Sequence, residues 1–297
     1  MQTSPASYQD QQAAPWEQTA RAMLAAAEQN RSPAAVLRKS LPELHRQLAA
    51  LRTSPELLRM WGDCLNFDEH AQDTIVHAEI LKTLGELAGV EMSGEIVHAG
   101  IQHTYGYLLS WLETPYGYKR QRWTDPDLEA GLGLQTPTLR PFPQAGALLA
   151  NLTYFLGRIA FGGQPREMRL LRKLKPHCGE TVLLYPYRRL KTLRIAERTT
   201  AVSSLEGTRE VILQFDLTTL PYAADDDQGA AYLMTHSVWD PRKAHRQLIT
   251  AFPMNRAGAA ETRRWEPGKT TVQTRYNAYV DGVTGKECEG RREIWTR

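Results

Sequence analysis

The chain has 297 residues, 42% of them hydrophobic and 23% charged, with a formal net charge of +3. This suits one large globular domain or two smaller ones. The polar opening MQTSPASYQDQQ carries no leader pattern, no run reaches the ~18 apolar residues of a membrane span, and Cys64, Cys178 and Cys288 are too few and too scattered for a disulfide framework. Neither a secretory leader nor a membrane partner is expected, and a reducing, cytoplasmic setting is the default.

Residues 1–14, rich in Gln, Ser and Ala, are expected to form a disordered tail. Helices are expected over about 16–30, 33–51, 55–66, 69–89 and 94–113. Two of them open with Ser32-Pro33 and Ser54-Pro55, which place a capping hydroxyl before a proline at the first helical position. A loop with Gly131, Gly133, Pro137, Pro141 and Pro143 follows, with a short helix after Asp125-Pro126. An apolar helix over about 145–161 and a basic one over about 165–174 end the helical part.

Beyond Pro176 the composition turns to strands: Val182 to Tyr185, Leu193 to Thr200 and Val211 to Leu217. In the last of these, Val211, Leu213, Phe215 and Leu217 alternate with Ile212, Gln214, Asp216 and Thr218. Leu205-Glu206-Gly207 is the expected turn between the second and third. An acidic loop, Asp225 to Gly229, precedes strands at Ala230 to Val238 and Gln247 to Phe252, which flank a short helical turn opened by Asp240-Pro241. Thr270 to Val280 and Lys286 to Trp295 form a hairpin around Asp281-Gly282. No helices alternate with these strands, so the sheet is expected to be antiparallel. The fold class is α+β: a helical N-terminal bundle (15–164), then a mostly antiparallel β-sheet C-terminal part (165–297) with a basic lead-in.

Charge is unevenly spread. Residues 166–198 hold ten basic and three acidic residues, which alone gives +7. Arg166, Arg169, Arg172 and Lys173 recur at helical spacing, and Tyr185, Tyr187, Arg188, Arg189, Lys191, Arg194 and Arg198 follow. Such a stripe suits phosphates, in a salt-sensitive and sequence-independent manner, and the two tyrosines could stack on bases.

Nucleotide-loop, nucleophile-elbow and zinc-type spacings are absent. The stretch Glu95 to Trp123 instead concentrates four of the twelve tyrosines and two of the eight histidines. On a helix over 69–89, His70, Asp73 and His77 would fall within about 60° of one another, on the buried side. Glu95 and His98 add an E-x-x-H pair similar in spacing to the bundle motif that presents metal ligands. A metal site would need Asp73 with a neighbouring histidine such as His77, plus Glu95 or His98; a metal-free acid/base pocket from the same groups is preferred to it, and histidines satisfied by core hydrogen bonds are the first expectation. The loop Thr114 to Trp123 adds Tyr116, Tyr118, Lys119, Arg120 and Arg122, phenols and cations suited to an anion or a ring.

A fourth group is Thr235-His236-Ser237-Val238-Trp239-Asp240 with His245. Paired histidines near basic residues suit acid/base cleavage of a phosphodiester. The following strand, Thr250-Ala251-Phe252-Pro253, resembles over this tetrapeptide the closing strand of EndoU and colicin-type ribonuclease toxins, which implies RNA cleavage.

The leading expectation is a protein that binds, and as an enzyme transforms, a small anionic or aromatic ligand in the helical half. His98 or His77 would be acid/base, Tyr105 or Tyr116 a hydrogen-bond donor, and Tyr118, Lys119, Arg120 and Arg122 substrate-binding. The alternative is a nucleic-acid-binding or RNA-cleaving protein using Arg188, Arg189, Lys191, Arg194, His236 and His245. A third reading is a non-enzymatic interaction protein with Trp111 and Tyr116 at its partner site. The residues name no cofactor and no oligomeric state.

Overall fold

The computed structural model describes residues 8–68, 70–114, 117–121, 147–204, 207–221, 230–254, 256–263, 278–280 and 283–284. It is α+β, with helices in the N-terminal half and a four-stranded antiparallel sheet in the C-terminal half. The expected turn at Leu205-Glu206, the acidic loop 225–229, the loop 131–143, the helix after Asp125 and Cys288 lie outside the described residues.

Helix α1 (Tyr8–Glu28) starts within the stretch expected to be a tail. Helices α2 (Pro33–Ser40) and α3 (Pro42–Leu51) replace the single expected helix over 33–51. Pro42 causes the break: the residue before a proline is steered away from helical angles, and Leu41 sits at φ −135°, ψ 67°. Ser32 caps α2 as expected, accepting the Ala35 N–H. Helix α4 is only Pro55–Arg59, and the chain then extends into strand β1 (Asp63–Leu65).

The expected helix over 69–89 is α5 (Ala78–Ala88) alone. Upstream, Asp68 and Asp73 pair as an isolated bridge, and the Asp68 carboxylate accepts the N–H groups of His70 and Ala71. That Asx-type turn competes successfully with helix formation. The expected helix over 94–113 is likewise corrected. Strand β2 (Ile96–His98) pairs antiparallel with β1, and only then does a helical stretch begin: α6 (Ala99–Ile101) running into a π-helical turn over Gln102–Gly106.

Buried Asn66 holds this region. Its amide donates to the carbonyls of Val76 (2.6 Å) and Gly94 (2.8 Å), and its oxygen accepts from Val76 N–H (3.0 Å) and Gln102 (2.9 Å). Gln102 also accepts from the buried Cys64 thiol.

The paired strands β3 (Glu113–Thr114) and β4 (Gly117–Tyr118) follow, then helices α7 (Leu148–Ala160), α8 (Pro165–Leu174) and α9 (Glu180–Leu184). The last replaces the strand expected over Val182 to Tyr185. Strands β5 (Lys191–Ser204), β6 (Gly207–Pro221), β7 (Ala230–Trp239) and β8 (Gln247–Met254) form the main sheet in that order, each antiparallel to the next. Helix α10 (Arg256–Arg263) comes after them. Strands β9 (Ala278–Val280) and β10 (Val283–Thr284) pair with each other, and β9 extends the small sheet beside β1.

The two sheets are joined at a seam. Gly62 N–H donates to Leu248 O, and Leu248 N–H to Met60 O. The apolar helix α7 packs on β7 and β8, with Trp61 Nε1 donating to Thr153 at 2.8 Å. One hydrophobic cluster runs from Trp16 to Ala259.

Candidate functional site

The histidine and tyrosine groups of the helical half hold the fold in place. His98 is the N-cap of α6: its Nδ1 accepts the Ile101 N–H at 3.2 Å. Nε2 therefore carries the proton and donates to Leu58 O at 3.0 Å. Burial lowers its pKa, against the backbone bond to Leu58 and the charge of Asp63. Both ring nitrogens of a neutral imidazole are thus used. His77 is the exposed N-cap of α5, accepting from Glu79 N–H.

Tyr105 lies in the π turn, fully buried, with its hydroxyl donating to Gln47 Oε1 at 3.0 Å. That Gln47 oxygen and the Tyr105 hydroxyl also receive the N–H groups of Leu148 and Leu149, so together they cap α7, whose N-cap residue Ala147 has no side-chain oxygen. Burial pushes the Tyr105 phenol well above its ordinary pKa. Tyr105→Phe is expected to lower stability by about 1–2 kcal/mol, read as a shifted urea midpoint. An unchanged midpoint would mean that Gln47 caps α7 unaided.

The expected metal ligands are spread apart. Asp73, His77 and Glu95 are exposed while His98 is buried and engaged. The one helix that was to align His70, Asp73 and His77 is absent, and Glu95 precedes the strand that holds His98. Among the described residues no three His, Cys, Asp or Glu side chains are grouped to hold a metal ion.

In the loop, Tyr116 and Arg122 lie outside the described residues. Lys119 pairs with Asp68 at 2.5 Å. Burial would raise the Asp68 carboxyl, but Lys119 and the N–H groups of Ala71 and His70 hold it below its ordinary pKa. Arg120 is buried over the Tyr118 ring at 4.0 Å and lies 3.5 Å from Glu17. Both cations of the expected anion clamp are matched by carboxylates from distant parts of the chain.

The C-terminal histidines are also interior. His236 is fully buried and stacked on Phe215, with centroids 4.2 Å apart. His245 is buried and bonds Arg59 O through Nε2 at 2.8 Å. Asp240 opens no helical turn; its carboxylate accepts the Arg242 N–H in another Asx-type turn. Tyr185 and Tyr187, expected to stack on bases, form a ring cluster with Tyr154 and Phe155. Arg158 lies over the Tyr187 ring at 4.8 Å.

The basic segment differs in being exposed. On α8, Glu167, Leu171 and Leu174 are buried, while Arg166, Arg169, Arg172 and Lys173 are exposed. At about 100° per residue these four cations share one outward arc of roughly 120°. Lys175, Arg188 and Lys191 continue the exposed run, and Arg189 lies in the turn Tyr187–Arg189. Arg194 is the exception: its Nε pairs with Asp216 at 2.6 Å.

The buried hydroxyls and amides across β6 and β7 escaped the sequence reading. Gln214, Asp216, Thr235 and Ser237 share one sheet face by register. Their period-two spacing was visible, but it signals a polar face as such and does not reveal that the face is buried. The chain matches no protein-family model, no curated protein and no solved structure, so the site rests on its own geometry.

Proposed function

We propose that the protein binds nucleic acid through the phosphate backbone, along the exposed cations of residues 166–191. One observation carries this reading. Arg166, Arg169, Arg172, Lys173, Lys175, Arg188 and Lys191 are all exposed, and none forms an ion pair among the described residues. The buried Lys119 and Arg120 are matched by carboxylates, whereas these exposed cations keep a local positive field that favours a polyanion. Here the acidic neighbour Glu167 is turned inward, onto the backbone N–H of Arg246.

The reading is of binding without base recognition and without cleavage by His236 or His245. The tyrosines are packed against one another, and both histidines are interior. An amphipathic membrane-surface helix would also expose apolar residues along its cationic border; in α8 Leu171 and Leu174 face the core, and the flanking Met168 and Leu170 are half-buried against it.

The test is fluorescence anisotropy with a labelled duplex and a single strand over a range of salt. Neutralising four phosphates gives a slope in log K against log salt of about −3.6 on the duplex and about −2.8 on the single strand. The triple variant Arg169→Glu, Arg172→Glu, Lys173→Glu should weaken binding about tenfold or more. Salt-independent binding, equal binding by the triple variant, or a preference for anionic vesicles over both nucleic acids would overturn the reading.

A further inference from the structure

On the main sheet, strands β6 and β7 turn a polar face inward instead of toward water. Asp216 and Gln214 alternate along β6, and the register places Thr235 and Ser237 directly across from them. All four are 3% exposed or less. Asp216 is neutralised: Arg194 Nε reaches one carboxylate oxygen at 2.6 Å and Gln214 Nε2 the other. The carbonyl of Gln214 is in turn taken by Arg246 Nη1.

Two features of this face are left over. Arg246 carries a full charge, yet its guanidinium meets a neutral amide oxygen and the Trp239 ring, 6.0 Å away. It forms no ion pair with any described residue. Glu167 accepts the backbone N–H of Arg246 at 3.1 Å and makes no ion pair with a described residue. Alongside, Thr235 Oγ1 and Ser237 Oγ are buried with no hydrogen-bond partner among the described residues. Hydroxyls so placed are costly unless something pairs with them. Ser237 lies opposite Gln214, which Arg246 bonds, and Thr235 is two residues further along β7; two hydroxyls on the face that this guanidinium reaches match an oxyanion.

We infer that this sheet face is a binding site for a small oxyanion, a carboxylate or a phosphate monoester, held by Arg246 and by the hydroxyls of Ser237 and Thr235. At one end of this face Arg246 is half-buried and Trp239 is 36% exposed. The Trp239 ring flanks the guanidinium there and suits a ligand whose anionic group is attached to a flat or apolar body. At the other end Arg194, itself partly exposed, pairs with Asp216. The site stands apart from the outward cations of α8 and does not depend on them.

Isothermal titration calorimetry of the full chain with inorganic phosphate, and separately with acetate, tests the inference. One saturable site per chain is expected, and whichever probe binds more tightly identifies the oxyanion. Arg246→Gln should weaken that binding about tenfold or more. The double variant Thr235→Val, Ser237→Ala should weaken it too, and it keeps the proposal testable if Arg246→Gln fails to fold. The helix variant Arg169→Glu, Arg172→Glu, Lys173→Glu should bind the small anion as wild type does while losing the polyanion. The proposal is overturned if neither probe binds saturably. It is equally overturned if the hydroxyl variant binds unchanged, or if the helix variant is the one that loses phosphate.

Discussion

Acidification from pH 6.5 toward 3 is expected to remove about 1.4 kcal/mol of stability per pH unit through His236 alone. The ring is fully buried against Phe215, and burial lowers its pKa from 6.5 to about 3. The folded state therefore holds this histidine neutral where the unfolded chain protonates it. By linkage the stabilisation is complete above the unfolded value of 6.5 and falls as pH drops toward 3, for a total of about 5 kcal/mol. Such a loss rivals the whole stability of many domains. His98, whose pKa is also lowered by burial, acts in the same direction. Urea midpoints measured across this range give the slope, and His236→Phe should flatten it by about one proton while keeping a ring stacked on Phe215. A variant that follows the wild-type slope would place the acid sensitivity elsewhere.

Asn66→Ala is expected to destabilise the protein by about 3–5 kcal/mol, since four hydrogen bonds disappear and buried backbone groups lose their partners. Val76 would lose both its N–H and its carbonyl contact, Gly94 its carbonyl contact, and Gln102 its acceptor. The damage should spread along the strand–π turn unit, because the same amide sets the distances between residues 66, 76, 94 and 102. Amide exchange reports it directly: Val76 should lose protection along with the β2 amides. A midpoint within about 1 kcal/mol of wild type would show that water can replace the side chain.

The legible parts of the fold were those decided within a few residues. Ser32-Pro33 marked a helix start because hydroxyl and proline act on the adjacent turn. The β6 alternation marked a strand because side-chain direction there is a local property. Some errors were local, as where Pro42 split one expected helix and the Asp68 turn shortened another, and others arose where distant groups intervened. Ile96-Val97-His98 continued a helical apolar pattern, but β1 offered it a ladder, and the Gln102 side chain found Asn66 and Cys64. The site was less legible still. Lys119 and Arg120 looked available because their carboxylates, Asp68 and Glu17, are about 50 and 100 positions upstream. The α8 stripe could be read because its orientation depends only on period, with Leu171 and Leu174 marking the inward side. Arg246 had no such marker, since its partners Gln214 and Trp239 come together only when the sheet forms.

The seam at residues 58–62 also sets the order in which the molecule can be completed. His245 bonds Arg59 O across 186 positions, Gln247 bonds Trp61 O across another 186, and Leu248 exchanges backbone bonds with Met60 and Gly62. During synthesis the N-terminal helices leave the ribosome long before these partners exist. Carbonyls at 59–61 and the Gly62 amide must wait, hydrated, until β8 arrives. Closing so large a loop carries an entropic cost that no local contact offsets. Joining of the small sheet to β8 at this seam is therefore a later step than the pairing of β1 with β2, whose partners are close in sequence.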